Sequence, residues 1–264
     1  MHAQVPDPII DPELLLLAYR SGIFPMSDAR DDPEIFWIEP RRRAILPLDG
    51  FRCSRSLART LRRGRFTVTC NADFGAVLEA CAAPRPESGG TWISQRIEAS
   101  YRTLHWLGQA HSIECWQDGV LVGGLYGVGF DRVFCGESMF SRVPDASKVA
   151  LAWLVAALRR GGASLLDCQF MTDHLASLGA VEISQERYLK LLMAAQRSSD
   201  GAAAFGAAAL TAGEAVAAGE AEAEGDGEGL ALPAAFGALL EDVASTGLSS
   251  SPGNFIAQSL TQTS

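Results

Sequence analysis

The apolar and polar positions divide the chain into short, well-punctuated elements. Pro12 to Ser21 is leucine-rich, with Asp11 placed as N-cap, Pro12 at the first helical position and Gly22 as a stop, so a short helix is expected. Phe24 to Pro40 reads as turn-rich. The pattern then predicts a strand around Ala44–Leu46, a helix over 54–63, a strand over 66–70 and a helix over 73–81. Pro84–Gly90 is a loop, and Ser94 opens a helix over 95–107. Strand runs follow at 112–116, 120–128 and 132–140, and Asp118-Gly119 between the first two is a hairpin signal. Asp145 caps a helix that runs to Arg160 and stops at Gly161-Gly162. A strand over 165–169 and short helices near 172–178 and 185–193 close the patterned region. A meander, then a helix, then a strand implies a mixed α+β fold, with helices packed on a mixed sheet.

Composition changes the reading at the C-terminus. Of residues 201–240, 24 are alanine or glycine, too few large side chains to offset the entropy of ordering. Residues 197–264 are therefore expected to form a largely disordered tail, with Phe236–Leu240 as the one apolar run able to dock. The net charge of −9 resides almost wholly there: residues 195–264 hold nine acids against Arg197. Residues 41–65 carry nine arginines with Asp49 as their one acid, so an acidic average does not exclude a polyanionic partner. No apolar stretch approaches the length of a membrane span, and the N-terminus has no basic run followed by an apolar core. Six scattered cysteines without a C-x-x-C pair read as reduced, mostly buried thiols in a cytoplasmic protein, and four unclustered histidines give no zinc site.

Four places carry candidate chemistry. In Phe134–Arg142, strand alternation puts Phe134, Gly136, Ser138 and Phe140 on one face and Cys135, Glu137 and Met139 on the other. Glu137 among apolar neighbours is costly unless paired, so it either lines a pocket or sits on an edge strand in water. In Leu165–Gln169 an apolar run delivers Asp167 and Gln169 to one strand face, about 6–7 Å apart, as a site floor or as a strand end emerging into solvent. Arg142 and Lys148 flank the start of a helix capped by Asp145, where an anion could bind or a lysine could simply face solvent. Arg55, Arg59, Arg62 and Arg63 recur at helical spacing on one face with no interleaved acid, which favours phosphate binding over an ordinary solvated face. The aromatics Tyr101, Trp106, Trp116 and Trp153 read mostly as core, and Trp92, after a Gly-rich loop, as a cleft residue.

The series Ala18–Pro25, Gly90-Thr91-Trp92-Ile93, His111–Glu114, Gly123–Gly127, Cys135–Arg142, Ala146-Ser147-Lys148, Asp167-Cys168-Gln169 and His174–Ala180 occurs in this order. In it the chain closely resembles the bacterial leucyl/phenylalanyl-tRNA–protein transferases, over roughly residues 11–193. The resemblance implies transfer of leucine or phenylalanine from charged tRNA to the N-terminal arginine or lysine of an acceptor protein, marking it for N-end rule degradation. It implies a GCN5-related N-acetyltransferase-like catalytic domain over 44–196 behind a small α/β domain over 1–43. Carried over residue by residue, the catalytic pair falls on Asp167 and Gln169 and the pocket glutamate on Glu137. The hydrophobic pocket for the aminoacyl side chain or the terminal adenine falls on Trp92, Tyr101 and Phe134. Met26, where relatives carry tryptophan, and Leu154 and Leu158, where some carry phenylalanine, join the substrate-binding set. The tRNA-gripping helix falls on Arg55, Arg59, Arg62 and Arg63.

Aminolysis of an ester is downhill, so no ATP, metal or cofactor is expected, and the partners are leucyl- and phenylalanyl-tRNA and the acceptor protein, with the enzyme cytoplasmic and away from membranes; the sequence leaves its oligomeric state open, with a monomer as the default. The acceptor α-amine is partly neutral at pH 7, which leaves the enzyme positioning and oxyanion stabilisation. On this reading Asp167 orients Gln169 and draws in the amine. The rivals are a coenzyme A-dependent N-acetyltransferase, whose glycine-rich pyrophosphate loop has no counterpart in Ser141–Ser147, and a non-catalytic RNA-binding module, which would leave Asp167 and Gln169 without a purpose.

Overall fold

The computed structural model describes residues 9–84, 90–196, 230–245 and 252–261. The first helix, α1 (Pro12–Arg20), starts where Asp11 accepts from the amides of Glu13 and Leu14, both at 3.0 Å. Inside the stretch read as turn-rich, β1 (Phe24–Met26) and β2 (Phe36–Ile38) pair antiparallel as a small separate sheet. Three-residue strands are too short for alternation to reveal them. The chain then runs through β3 (Arg42–Ile45), α2 (Arg55–Arg62), β4 (Thr67–Cys70), α3 (Phe74–Ala82) and α4 (Gln95–Trp106). The meander β5 (Ala110–Gln117), β6 (Val120–Phe130) and β7 (Val133–Ser141) follows, and α5 (Ala146–Arg160) crosses to β8 (Leu165–Gln169). A short helix α6 (Asp173–Ser177), β9 (Val181–Ser184) and α7 (Gln185–Gln196) complete the body. Asp118 and Gly119 both hold positive φ, 52° and 76°, as the tight β5–β6 hairpin requires.

The main sheet has the order β4-β5-β6-β7-β8-β3-β9. Its neighbours are antiparallel except β7 and β8, the parallel pair at its middle. The fold is the mixed α+β arrangement expected. One core lies between the sheet and α5 with α2, and a second covers the other face with residues of α1, α3, α4 and α7. Because β3 belongs to the main sheet, the domain boundary expected after residue 43 runs through a strand. No helix among the described residues is long and apolar enough to cross a membrane. All six cysteines are free, three of them buried.

Two expectations need correction. Trp106, assigned to the core, is 84% exposed. The tail, expected to be disordered over 197–264, contains two docked helices, α8 (Leu232–Ser245) and α9 (Pro252–Thr261). The cause lies in α5, which is buried at every position from Ala146 to Leu158 except Lys148. A helix apolar all round must be covered on both sides. The sheet covers one and α8 the other, with Phe236 against Trp153 at a ring-centroid distance of 5.5 Å. The Ala/Gly-rich stretch 197–229 lies outside the described residues.

Candidate active site

Backbone pairing between β7 and β8 ends at Cys135 and Asp167. Two residues further along each strand, Gln169 donates its side-chain amide to Glu137 Oε1 at 2.9 Å. The junction has a local cause on both sides. In β7, Gly136 pairs with Gly127 and Ser138 with Tyr126, so Glu137 is the extra residue of a bulge. In β8, Gln169 ends the strand at φ 61°, which turns its side chain away from simple alternation. The bulge also inverts the faces of β7: Phe134 and Met139 join the α5 core, whereas Cys135 and Phe140 join the opposite one. The regular alternation expected over 134–140 therefore holds only up to residue 136.

Glu137 is fixed from the other side by Tyr101, whose hydroxyl donates to Oε2 at 2.9 Å. The Tyr101 hydroxyl in turn meets that of Tyr19 at 2.5 Å. Both phenols are buried, and burial raises their pKa well above the ordinary value, so they stay protonated and able to donate. Burial pushes the Glu137 carboxyl up to about 7, while its bonds from the tyrosines and Gln169 hold it down. No cation is paired with Glu137 among the described residues.

Asp167 is placed differently. It is fully buried and accepts from Arg43 Nε at 2.9 Å and Nη2 at 2.6 Å, from the Tyr188 hydroxyl at 2.9 Å and from the Gln169 backbone amide at 2.9 Å. Arg43 is itself 1% exposed, lies between the rings of Phe24 and Tyr188, and donates to the Gly22 carbonyl at 2.9 Å. Burial disfavours the charge on Arg43, and Asp167 more than offsets this, keeping the guanidinium protonated. Asp167 thus holds the backbone at Gln169 but presents no free carboxylate to a cationic acceptor. Sequence reasoning placed Arg43 in a basic stretch and missed this role. The signal available was its position directly before the strand-forming Ala44-Ile45-Leu46, which turns alternate residues inward.

The expected hydrophobic pocket is split by the sheet. Trp92 and Met26, both half-buried, pack in the same core as Tyr101. Phe134, Leu154 and Leu158 are buried in the core on the α5 face. Phe134 thus does not line one wall with Trp92 and Tyr101: it points to the opposite face from Cys135, which shares their core. Gly127 makes room for its ring: a Cβ there would lie 2.5 Å from the Phe134 ring. Three exposed aromatics were not singled out from sequence: Phe36 and Trp37 on β2, and Phe170, which meets Phe24 edge-on at 5.7 Å.

The other candidates fall away from this junction. Arg55, Arg59, Arg62 and Arg63 are all exposed and together line a cavity of about 490 Å³. Ser54 caps their helix through the Leu57 amide at 3.1 Å, while Leu57, Ala58 and Leu61 are buried. Lys148 and Arg142 are already engaged, with Asp145 at 3.4 Å and the Leu121 carbonyl at 3.0 Å. The His111–Glu114 motif builds a separate buried network, in which the hydroxyls of Ser112 and Thr69 both donate to Glu114 at 2.5 Å.

A family model described as leucyl/phenylalanyl-tRNA protein transferase matches residues 45–193, and one for the N-terminal domain of leucyl/phenylalanyl-tRNA protein transferase matches residues 9–41. A leucyl/phenylalanyl-tRNA–protein transferase of Novosphingobium aromaticivorans is 67% identical over 258 residues, 97% of both chains. Those of Zymomonas mobilis and Rhizorhabdus wittichii are 60% identical over 190 residues (72% of this chain, 71% of that one) and 58% identical over 197 (75% and 79%). Among solved structures, L-PGS from Bacillus licheniformis is similar over 62% of this chain and 55% of that one, at 14% identity and a TM-score of 0.34, which is too low to bear on fold or activity. Matched by both family models and by relatives of this identity and coverage, the chain belongs to the leucyl/phenylalanyl-tRNA–protein transferase family.

Proposed function

We propose that this chain transfers leucine or phenylalanine from charged tRNA to the N-terminal arginine or lysine of acceptor proteins, and that the reaction takes place where β7 and β8 part. The observation that carries the site assignment is the chain Tyr101–Glu137–Gln169, two bonds of 2.9 Å across a gap without backbone pairing. The acceptor nitrogen bonds to the ester carbonyl carbon, the bond to the ribose oxygen breaks, and the proton lost by the amine ends on that oxygen. An oxyanion forms on the way. Gln169 spends one amide hydrogen on Glu137, and its second is available to that oxyanion. Glu137, with a pKa near 7, is matched to take a proton from an ammonium of pKa about 7.7–8.0 and return it.

Asp167 serves this chemistry at one remove, by anchoring the amide of Gln169 while Arg43 neutralises it. With that charge occupied, Glu137 is the acid of the cluster left to favour a cationic acceptor. The exposed arginines of α2 take tRNA phosphates, since a polyanion relieves the repulsion of like charges gathered on one face. A tRNA substrate puts the reaction in the cytoplasm. Transfer of radiolabelled phenylalanine from charged tRNA to an Arg-starting peptide, without coenzyme A or ATP, tests the proposal. Transfer that needs acetyl-coenzyme A would overturn it.

A further inference from the structure

We infer that the C-terminal helices are part of the tRNA-binding apparatus: α9 braces α2 from behind and thereby holds its arginine face in place for the phosphate backbone. This inference rests on the reading of α2 as the tRNA-binding helix. It concerns residues beyond 193, where the family model ends.

The need for a brace follows from α2 itself. It is eight residues long, carries Arg55, Arg59 and Arg62, and has no acid in its first turn. A helix this short is unstable alone, and like charges spaced along one face weaken it further. It therefore persists by packing Leu57, Ala58 and Leu61. Much of that packing comes from α9, which lies against α2 so closely that the two backbones touch. A Cβ at Gly253 would fall 2.0 Å from the Leu61 carbonyl oxygen, so only glycine permits this approach. Ile256 and Leu260 complete the apolar contact surface of α9 and are buried in the same core as Leu57 and Leu61.

The brace is suited to a phosphate groove in two further ways. No residue of α9 is charged, so it adds no repulsion toward an anion. At its far end Thr261 lines the same cavity as the four arginines, so α9 forms part of the groove wall. The position of α9 is fixed in turn by α5: Arg159 donates to the Ser259 carbonyl at 3.2 Å and to the Leu48 carbonyl at 2.8 Å. One acid of α8 is already paired with α5, Asp242 with Arg160 at 2.8 Å.

The test uses the full-length chain and two substrates, charged tRNA and aminoacyl-adenosine, which lacks the tRNA body. Gly253→Val separates α9 from α2, Ile256→Ala loosens the same contact more gently, and Arg55→Ala with Arg59→Ala removes two of the four phosphate contacts. The brace predicts that both α9 variants raise the KM for charged tRNA by about three- to tenfold and leave kcat on aminoacyl-adenosine unchanged. It also predicts that Gly253→Val raises KM by a smaller factor in the arginine variant than in the native chain. If the arginine variant raises KM and neither α9 variant does, the brace is wrong and the reading of α2 stands. If the arginine variant itself leaves KM unchanged, α2 is not the tRNA helix and the brace falls with it. Equal loss on both substrates in the Ile256→Ala chain would show that α9 only stabilises the fold, and would also overturn the inference.

Discussion

Gln169 reaches Glu137 through its side chain at the point where their two strands have ceased to pair through the backbone. Where the ladder stops in the middle of the sheet, side chains rather than backbone groups bond across the two strands. The parallel β7–β8 pair stops short of this point, and the bulge at Glu137 places a carboxylate against Gln169. Both groups are buried among apolar neighbours, where their polarity is costly unless it is used.

Arg43 and Asp167 form a buried ion pair, and removing one partner strands the other. Arg43→Met is expected to cost about 3–5 kcal/mol in urea denaturation. Arg43→Met combined with Asp167→Leu is expected to cost clearly less than the two single changes added together. Additive losses would show that the pair is not coupled.

Asp167→Asn is expected to lower kcat through the loosened backbone of Gln169 and to leave the acceptor-peptide KM unchanged, because Arg43 and not solvent faces Asp167. Kinetics with peptides beginning in arginine check this. A large rise in acceptor KM would restore the direct electrostatic role that the sequence suggested.

Glu137 links stability to pH. Burial lifts its carboxyl from 4.5 to about 7 in the folded chain, so between these values the folded state holds more protons than the unfolded. Stability from this group is therefore greatest at or below about pH 4.5 and declines until about pH 7. Glu137→Gln removes that slope. Relative to the native chain, the variant should gain about 1–3 kcal/mol between pH 5 and pH 8 in paired urea titrations. Glu114, also raised by burial, and His111, lowered by burial to about 4, act equally in both proteins. An unchanged difference across that range would mean that Glu137 titrates normally.

The docked C-terminus makes a prediction opposite to that of a disordered tail. Phe236 is 4% exposed against Trp153, so Phe236→Ala should destabilise the chain by roughly 2–4 kcal/mol. A thermal melt indistinguishable from the native one would mean that α8 contributes nothing.

The elements of the body were legible because α1 and α4 carry their own side-chain caps, α5 its glycine stop and the β5–β6 hairpin its Asp-Gly turn. The cap expected at Asp145 does not form: the residue sits at φ 71° and its carboxylate accepts from Thr60 and Lys148 instead. The β7–β8 junction was half legible. Asp167, Gln169 and Glu137 stood out as polar residues in apolar strands, yet alternation put the wrong partners beside Phe134, because a one-residue bulge leaves no mark in the sequence. Arg43 was hidden among Arg41 and Arg42, one residue of three alike, and only the register of β3 against β8 and β9 selects it for burial. The error at the C-terminus came from averaging. Alanine and glycine between 201 and 229 diluted a window whose later part carries Leu232, Phe236 and Leu239 at helical spacing. The all-apolar α5 was the independent sign that something must cover it.

The most direct test of the junction as the chemical site is single-turnover transfer of phenylalanine from saturating charged tRNA to an Arg-starting peptide, comparing the native chain with Gln169→Ala and Glu137→Gln. The account predicts that Gln169→Ala slows the transfer step about 10- to 1000-fold while tRNA affinity stays within about twofold of native. It predicts that Glu137→Gln also slows transfer and abolishes the rise of rate with pH around 7. Native rates in both variants, with an unaltered pH profile, would place the chemistry elsewhere on the molecule.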